Sequence, residues 1–144
     1  MSAAAGLAAL VPAVITALKA QSSLTTLLDS ASAVYDGDSP NPTQGAQPVK
    51  YLVVRTPSFV PTGVFSSIGA DNVIEIHIWH PGKPTVPVLA IVREIGVALD
   101  GVKLSLGGSL RHWTGETSLL AILDDPGKTP AEKHGIVSYA SRTQ

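Results

Sequence analysis

The sequence predicts an α+β fold: a mainly antiparallel sheet of four to five strands with two helices packed on one face. Residues 72–80 alternate between apolar and polar side chains, as a half-buried strand does. A helical apolar pattern follows and ends at Leu99-Asp100-Gly101, and two more strand-like runs come after it. Elements in this order build a sheet that helices cover on one face.

The first helix is indicated by apolar residues near the N-terminus. Val14 and Leu18 lie four residues apart, and Pro12 is tolerated in a first helical turn, so we expect a helix over about residues 12–20. We expect the alanine-rich segment 1–11 either to extend this helix with a kink or to be loosely held.

The same region could be mistaken for a signal sequence or a membrane span. It has no cationic start, and its first basic residue, Lys19, comes after the apolar run. The run is also short for a membrane span and contains Pro12. We therefore interpret it as a packing helix, followed by a short second helical turn after Ser22-Ser23.

Two strands and two long loops are predicted before residue 80. Residues 36–48 are rich in Pro, Gly and polar side chains, which predicts an exposed loop. Residues 51–55 and 72–79 have strand patterns, and we expect residues 58–71 to join them as a long, mobile hairpin loop. The isoleucines of the second strand share one face: Ile74, Ile76 and Ile78.

The central helix has both of its ends marked. Thr85 is a candidate N-terminal cap, and Gly101 suits the left-handed conformation that ends a helix. One apolar stripe is expected from Val88, Val92, Ile95 and Leu99. The sheet is then completed by runs at residues 104–106, 111–123 and 135–140, so that residues 1–144 form a single domain.

The composition of the chain argues against several classes of function. Ten basic and eleven acidic residues give a net charge of −1, without the basic surplus that DNA-binding proteins usually carry. There is no cysteine, so disulfides and thiolate chemistry are excluded. Charged residues make up only 15% of the chain and apolar ones 44%, which favours surfaces buried against partners, most simply copies of the same chain.

No set of residues predicts catalysis or a cofactor. Gly127-Lys128-Thr129 looks like the end of a phosphate-binding loop, but the glycine needed five residues earlier is Ile122. Paired aspartates, such as Asp124-Asp125, occur in turn-rich segments, and no Gly-x-Ser-x-Gly elbow is present. We predict that the protein is not an enzyme and needs no cofactor.

The four histidines do not form a metal-binding pattern. His77 and His80 are three apart, which on a strand puts them on opposite faces. His112 and His134 are isolated in the sequence, and we interpret all four as surface or interface residues.

An exposed indole most often marks a protein contact. Trp79 lies opposite the isoleucine face, so it either marks a contact with a partner or is covered by the 58–71 loop; Trp113 has the same ambiguity. The loop should dock on a neighbouring subunit or on a partner through its apolar side chains. The candidate interface residues are Phe59, Val60, Val64, Phe65, Ile68, Trp79 and Trp113.

The order of several short motifs resembles the small tail-completion proteins of long-tailed phages, also called tail terminators or head-to-tail joining proteins. The resemblance covers residues 17–142. Its pieces are packing and turn patterns, so only the ordered set is specific: Leu18-Lys19-Ala20, Val34-Tyr35-Asp36-Gly37, Tyr51-Leu52-Val53-Val54, Ile76-His77-Ile78-Trp79, the helix over residues 90–99 and His134-Gly135-Ile136-Val137-Ser138-Tyr139.

This resemblance implies a structural virion protein at the tail and neck of a phage, made in the host cytoplasm. Such a protein forms a homo-oligomeric ring, commonly a hexamer, that ends the tail tube and meets the head connector or stopper protein. DNA passes through its lumen without specific binding, and no membrane is involved. The extension before Pro12 and the loop over residues 36–48 depart from the usual family pattern.

Two other classes stay open at this point. Another head-to-tail connector protein or a minor tail protein would have the same structural character but occupy a different layer. A cytoplasmic ligand-binding α+β module is the non-structural alternative, and a deep pocket with convergent polar groups would favour it.

Overall fold

A computed structural model describes the backbone of residues 3–30, 32–37, 50–61, 70–82, 84–105, 111–114, 118–125 and 132–143. Over these residues the chain forms three helices: α1 (Ala3–Ala20), α2 (Ser22–Leu27) and α3 (Val86–Leu99). It also forms seven strands: β1 (Val34–Asp36), β2 (Tyr51–Pro61), β3 (Ala70–Pro81), β4 (Lys103–Ser105), β5 (Arg111–Thr114), β6 (Ser118–Asp125) and β7 (Glu132–Thr143).

All seven strands belong to one mixed sheet. Its order is β1-β2-β3-β7-β5-β4, and β6 also pairs with β7. The β1–β2 pair is parallel and every other pair is antiparallel. The α+β class is therefore confirmed, with more strands than the four to five predicted and with one parallel pair among them.

Strand β7 is the organising strand of the second half. It pairs with β3 along one edge from Glu132 to Thr143. Along its other edge it pairs first with β6 and then with β5, so these two strands follow each other along the same side of β7. Because β3 and β7 are paired over their whole length, their register decides which side chains meet at the centre of the sheet.

The core lies between one face of the sheet and the helices. The three isoleucines of β3 share one face, as predicted, and they are fully buried on the side that the helices cover. Strand β2 contributes Leu52 and Val54 to it, and these lie opposite Ile78 and Ile76. The helices supply a matching set of buried side chains: Leu10, Val14, Leu18, Leu24, Val88, Ile91, Ile95 and Leu99.

Helix α1 runs from Ala3 through Pro12 to Ala20, so the segment before Pro12 extends the helix, which is one of the two alternatives that the sequence left open. Alanine has the highest helix propensity, and a single proline removes only one backbone hydrogen bond. The buried side chain of Leu10 anchors the extension on the core. Within the described residues, no helix is long and apolar enough to cross a membrane.

Helix α3 matches its predicted position, with two corrections. Thr85 takes the cap position and its carbonyl accepts the Leu89 N–H at 3.1 Å, but its side chain makes no capping hydrogen bond. The buried stripe includes Ile91 where we expected Val92, which is only partly buried. Gly101 has a φ of +66°, which confirms the left-handed helix end.

The β2–β3 hairpin is longer than the sequence predicts. Residues 58–61 and 70–71, which we assigned to a loop, belong to the paired strands, with Phe59 opposite Asn72 and Pro61 opposite Ala70. A register shift lies between Arg55 and Ser58, next to Pro57, which has no N–H to donate to a ladder. The predicted loop over residues 36–48 lies outside the described residues beyond Gly37.

Gly135 lets α3 approach the sheet closely. A Cβ at this position would lie 2.9 Å from Cγ1 of Val88, and Val88 is a stiff β-branched side chain. Replacing Gly135 by alanine is expected to lower the free energy of unfolding by about 1–3 kcal/mol, the usual cost of overpacking. Urea denaturation measures this, and adding Val88→Ala should recover part of the loss; additive losses would contradict the contact.

Candidate functional site

The predicted interface residues do not form one described patch. Phe59 and Val60 lie in β2 near the end of the long hairpin, and Trp113 lies in β5 opposite Lys103 of β4. The side chains of all three are outside the described residues, as are the whole of Val64, Phe65 and Ile68. Docking by the 58–71 segment therefore stays a prediction.

Trp79 is the one predicted interface residue whose side chain is described. It is partly buried, on the sheet face opposite the helices. Its indole stacks on the imidazole of His134 with ring centroids 3.8 Å apart and planes 11° apart, and it stacks more loosely on Tyr51 at 6.2 Å. Its described ring contacts therefore come from β2 and β7, an arrangement that the sequence did not predict.

Five residues make up what we call the histidine–aromatic cluster: Tyr35, Tyr51, His77, Trp79 and His134. They come from four strands, which the sheet brings side by side. Tyr51 lies directly opposite Trp79 in the β2–β3 pair, and Trp79 lies directly opposite His134 in the β3–β7 pair. Tyr35 extends the row by an edge-on contact with Tyr51 at 6.1 Å.

The two histidines of the cluster are hydrogen-bonded to each other. Nδ1 of His77 lies 2.8 Å from Nε2 of His134, and the two rings are stacked with centroids 5.0 Å apart. On a sheet, positions two residues apart along neighbouring strands are within reach of long side chains, which explains this diagonal contact. His134 is isolated in the sequence, and the pairing of β3 with β7 is what brings it to His77.

Charged residues surround His77 on the same face. Oε2 of Glu75 lies 3.8 Å from Nε2 of His77, and Arg55 is the cross-strand partner of Glu75. Arg55 itself is exposed and donates from Nε to the carbonyl of Gly37 at 3.1 Å. Burial lowers the pKa of His77, the positive charge of Arg55 lowers it further, and the Glu75 carboxylate acts in the opposite direction.

The chemistry available to this cluster is stacking and proton uptake. Its members are two phenols, an indole and two imidazoles, and imidazole is the group that changes charge nearest neutral pH. Among the described residues, no three His, Asp or Glu side chains are placed to hold a metal ion. His77 and His80 both lie in β3, three residues apart, so strand alternation puts them on opposite faces, and Nδ1 of His80 lies 2.8 Å from the Pro81 carbonyl oxygen.

A second candidate surface lies on the outer side of α3. Val86, Leu89 and Val97 are 74%, 45% and 59% exposed, and with Arg93 they occupy the side of the helix opposite its buried stripe. The outer side of a helix at a protein surface is normally polar. We call these four residues the α3 outer stripe. Exposed apolar residues grouped in this way are typical of protein–protein contacts.

No signal in the sequence alone reveals the cluster. If the alternation of residues 72–80 is paired antiparallel with the strand-like run at 132–143, Trp79 falls opposite a histidine in only some registers. The sequence does not fix that register, because both strands are long and each alternates over its length. The outer stripe of α3 could not be identified from the sequence alone, because the predicted buried stripe left Ile91 over together with Val86, Leu89 and Val97.

Comparison with known proteins identifies solved structures with a similar fold. No protein-family model and no curated protein matches the chain. A solved chain from the virion of a native gene transfer agent particle is 20% identical, with a TM-score of 0.66, and the match covers 94% of this chain and 95% of that one. A second solved structure, of a protein without a descriptive name, is 12% identical with a TM-score of 0.52, covering 88% and 94%. At these identities the likeness establishes the fold alone.

Proposed function

We propose that this chain is a structural virion protein of a phage-like particle. Its place is a ring at the head-proximal end of the tail tube, where it ends tail assembly and joins the tail to the head connector. The observation that carries the proposal is the superposition, over 94% of the chain, on a chain from a gene transfer agent virion. The ordered motifs that resemble tail-completion proteins support the same role.

The surface of the molecule fits a protein that works through contacts. The α3 outer stripe and Leu123 of β6, which is 49% exposed, leave large apolar side chains in solvent in the single chain. When copies of the chain pack head to tail, such residues are buried at every contact between neighbours. The row of copies closes into a ring when the rotation between neighbours permits it. We therefore propose that the α3 outer stripe contributes to the contact between subunits.

Such a protein acts through the contacts that its surfaces make, and it carries out no reaction. One face of the ring binds the last ring of the tail tube through the contacts that a further tube ring would make. The other face binds the connector or stopper protein. The family pattern favours a homohexamer. The same fold in another layer of the neck, or in a minor tail protein, is the alternative, and symmetry and neighbours in a particle would distinguish these positions.

The mass of the purified protein tests ring formation. Size-exclusion chromatography with light scattering should give a multiple of the 14.9 kDa subunit, with six copies as the expected number, and negative-stain images should show closed rings. If the protein forms rings only on the tube, the same images with tail tubes added should show capped ends. Monomers alone at high concentration that also leave tube ends bare would contradict the proposal.

We expect DNA to pass through the lumen of the ring without binding tightly to it. The whole chain carries a net charge of −1, whereas tight binding to the phosphates of DNA depends on clustered basic residues. We predict weak binding to duplex DNA at physiological salt, measured by fluorescence anisotropy with a labelled duplex. Submicromolar binding that weakens steeply as salt is raised would count against this prediction.

A further inference from the structure

Strand β6 forms an edge of the sheet. In the described part of the chain it pairs with β7 alone, over Ser118–Asp125, and no strand lies along its other side. Five consecutive residues of β6, positions 119–123, are apolar, and the strand contains neither proline nor lysine. Leu123 is 49% exposed. A long apolar edge strand presents unpaired backbone groups and apolar side chains to other chains, so natural proteins usually cover or protect it.

The other edges of the sheet are protected, as far as the structure describes them. Strands β1 and β4 are only three residues long. The outer side of β2 beyond its pairing with β1 contains Pro57 and Pro61. Short edge strands and prolines both hinder the addition of a further chain. The pairing of β6 is regular from Ala121 to Asp125, and this half of the strand, which we call the β6 edge, has only the charges of Asp124 and Asp125 as protection.

The α3 outer stripe is complementary to the β6 edge. Both surfaces are mainly apolar, and the one charge of the stripe is Arg93, an exposed cation that takes part in none of the ion pairs of the described residues. On the β6 edge the Asp124 side chain is 77% exposed, and its contact with Lys133 uses only Oδ1. A carboxylate accepts more than one hydrogen bond, so Asp124 can also receive the guanidinium of an arginine.

The positions of the two surfaces allow a contact between copies of the chain. Helix α3 packs its buried side on β3 and β7, so its outer stripe faces away from the sheet, whereas the β6 edge faces sideways in the plane of the sheet. Two different surfaces that face roughly perpendicular directions give a head-to-tail contact whose repetition turns back on itself, as a ring requires. The lengths also agree, because residues 86–97 of a helix span about 17 Å and residues 121–125 of a strand about 13 Å.

We propose that the α3 outer stripe of one copy of this chain covers the β6 edge of the next copy. Leu89 and Val97 pack against Leu123 of the partner subunit, and Arg93 pairs with Asp124 of the partner subunit. The proposal rests on the subunit contact through the α3 outer stripe that is part of the proposed function, and it adds the surface that receives this stripe. It does not involve the tail, so it can fail while the ring at the tail end stands.

Cross-linking between single cysteines tests which surfaces meet. The chain has no cysteine, so Leu89→Cys and Leu123→Cys can be prepared separately, mixed and treated with a short bismaleimide. We expect covalent dimers in the mixture and far fewer with either variant alone. Thr16→Cys in place of Leu89→Cys is the control and should give no dimers. If Leu89→Cys alone cross-links as well as the mixture, α3 meets α3 between subunits and the proposal is overturned.

Mixing two assembly-deficient variants tests the head-to-tail arrangement. The Leu89/Val97 aspartate variant has an impaired stripe and an intact β6 edge, and Leu123→Lys has the reverse. Each alone should show the subunit mass by light scattering with unchanged circular dichroism, and the mixture should show dimers of one copy each and nothing larger. If Leu123→Lys forms rings like the parent protein, the ring stands and the β6 contact is refuted. A parent protein that stays a monomer and gives no mixed cross-links would contradict the contact whatever tail tubes show.

A charge exchange tests the pairing of Arg93 with Asp124. Arg93→Glu and Asp124→Arg should each raise the dissociation constant of self-association by about tenfold or more, because like charges then face each other across the contact. Both side chains are exposed in the single chain, so circular dichroism should be unchanged. The double variant restores opposite charges and should associate within about threefold of the parent protein. If two folded single variants associate like the parent, or the double variant is no better than either, this pairing is wrong.

Discussion

Replacing Leu89 and Val97 together by aspartate is expected to abolish self-association while leaving the subunit folded. Both side chains are about half exposed in the single chain, so the fold loses little when they change. In a ring contact, each new carboxylate would be buried without a partner, at a cost on the order of several kcal/mol per charge. Light scattering should then report the subunit mass and circular dichroism an unchanged helix content.

A control variant separates this effect from a general effect of added charge. Thr16→Asp places a carboxylate on an exposed position of a different helix, α1. It should leave the oligomeric mass unchanged. If the double aspartate variant assembled like the parent protein, the α3 outer stripe would not be a subunit contact, although a ring built through another surface would remain open.

Replacing Ile76 by alanine is expected to have the largest effect on stability. Ile76 is fully buried, between Val54 of β2 and Val137 of β7 and beneath the helices. Truncating a buried isoleucine removes its contacts and leaves a cavity, which costs about 2–5 kcal/mol. Urea denaturation should show this as a lower midpoint with an unchanged slope.

Leu123→Ala is the matched control for this substitution. It removes the same number of carbon atoms from a side chain that is 49% exposed, so it should cost about 1 kcal/mol or less. Both measurements are best made in the Leu89/Val97 aspartate background, where assembly does not add to the stability of the subunit. Equal losses for the two variants would contradict the placement of the isoleucines on the helix-covered face.

The parts of the fold that local patterns determine were predictable. The alternation of Ile74, Ile76 and Ile78 placed the buried face of β3 correctly, because the period of a strand is visible within a few residues. The extent of α3 followed from its apolar spacing and from Gly101, whose φ of +66° few other residues tolerate. These features need no knowledge of distant contacts.

The parts that depend on pairing between distant segments were not predictable. The parallel pairing of β1 with β2 and the extension of the hairpin to Pro61 and Ala70 depend on which strands meet. The contact between His77 and His134 joins residues 57 positions apart and needs the register of β3 with β7. A shift by one residue would have placed His134 on the other face, so no inspection of single strands could find the cluster.

The ends of elements were also difficult to predict from the sequence. The sequence left two alternatives for the alanine-rich segment before Pro12, because it does not say whether that segment is held in place. In the structure Leu10 lies in the core, two residues before the proline, and holds that segment on the domain. The cost of the proline is then offset by burial, which is a tertiary effect.

The most direct test of the account is to mix the purified protein with tail tubes from the particle that contains it and to image the tube ends. The account predicts a ring of this protein on the head-proximal end of each tube, tubes that no longer elongate, and joining to heads only after the ring has bound. Rings absent from the tube ends, together with normal joining in particles that lack the protein, would contradict it.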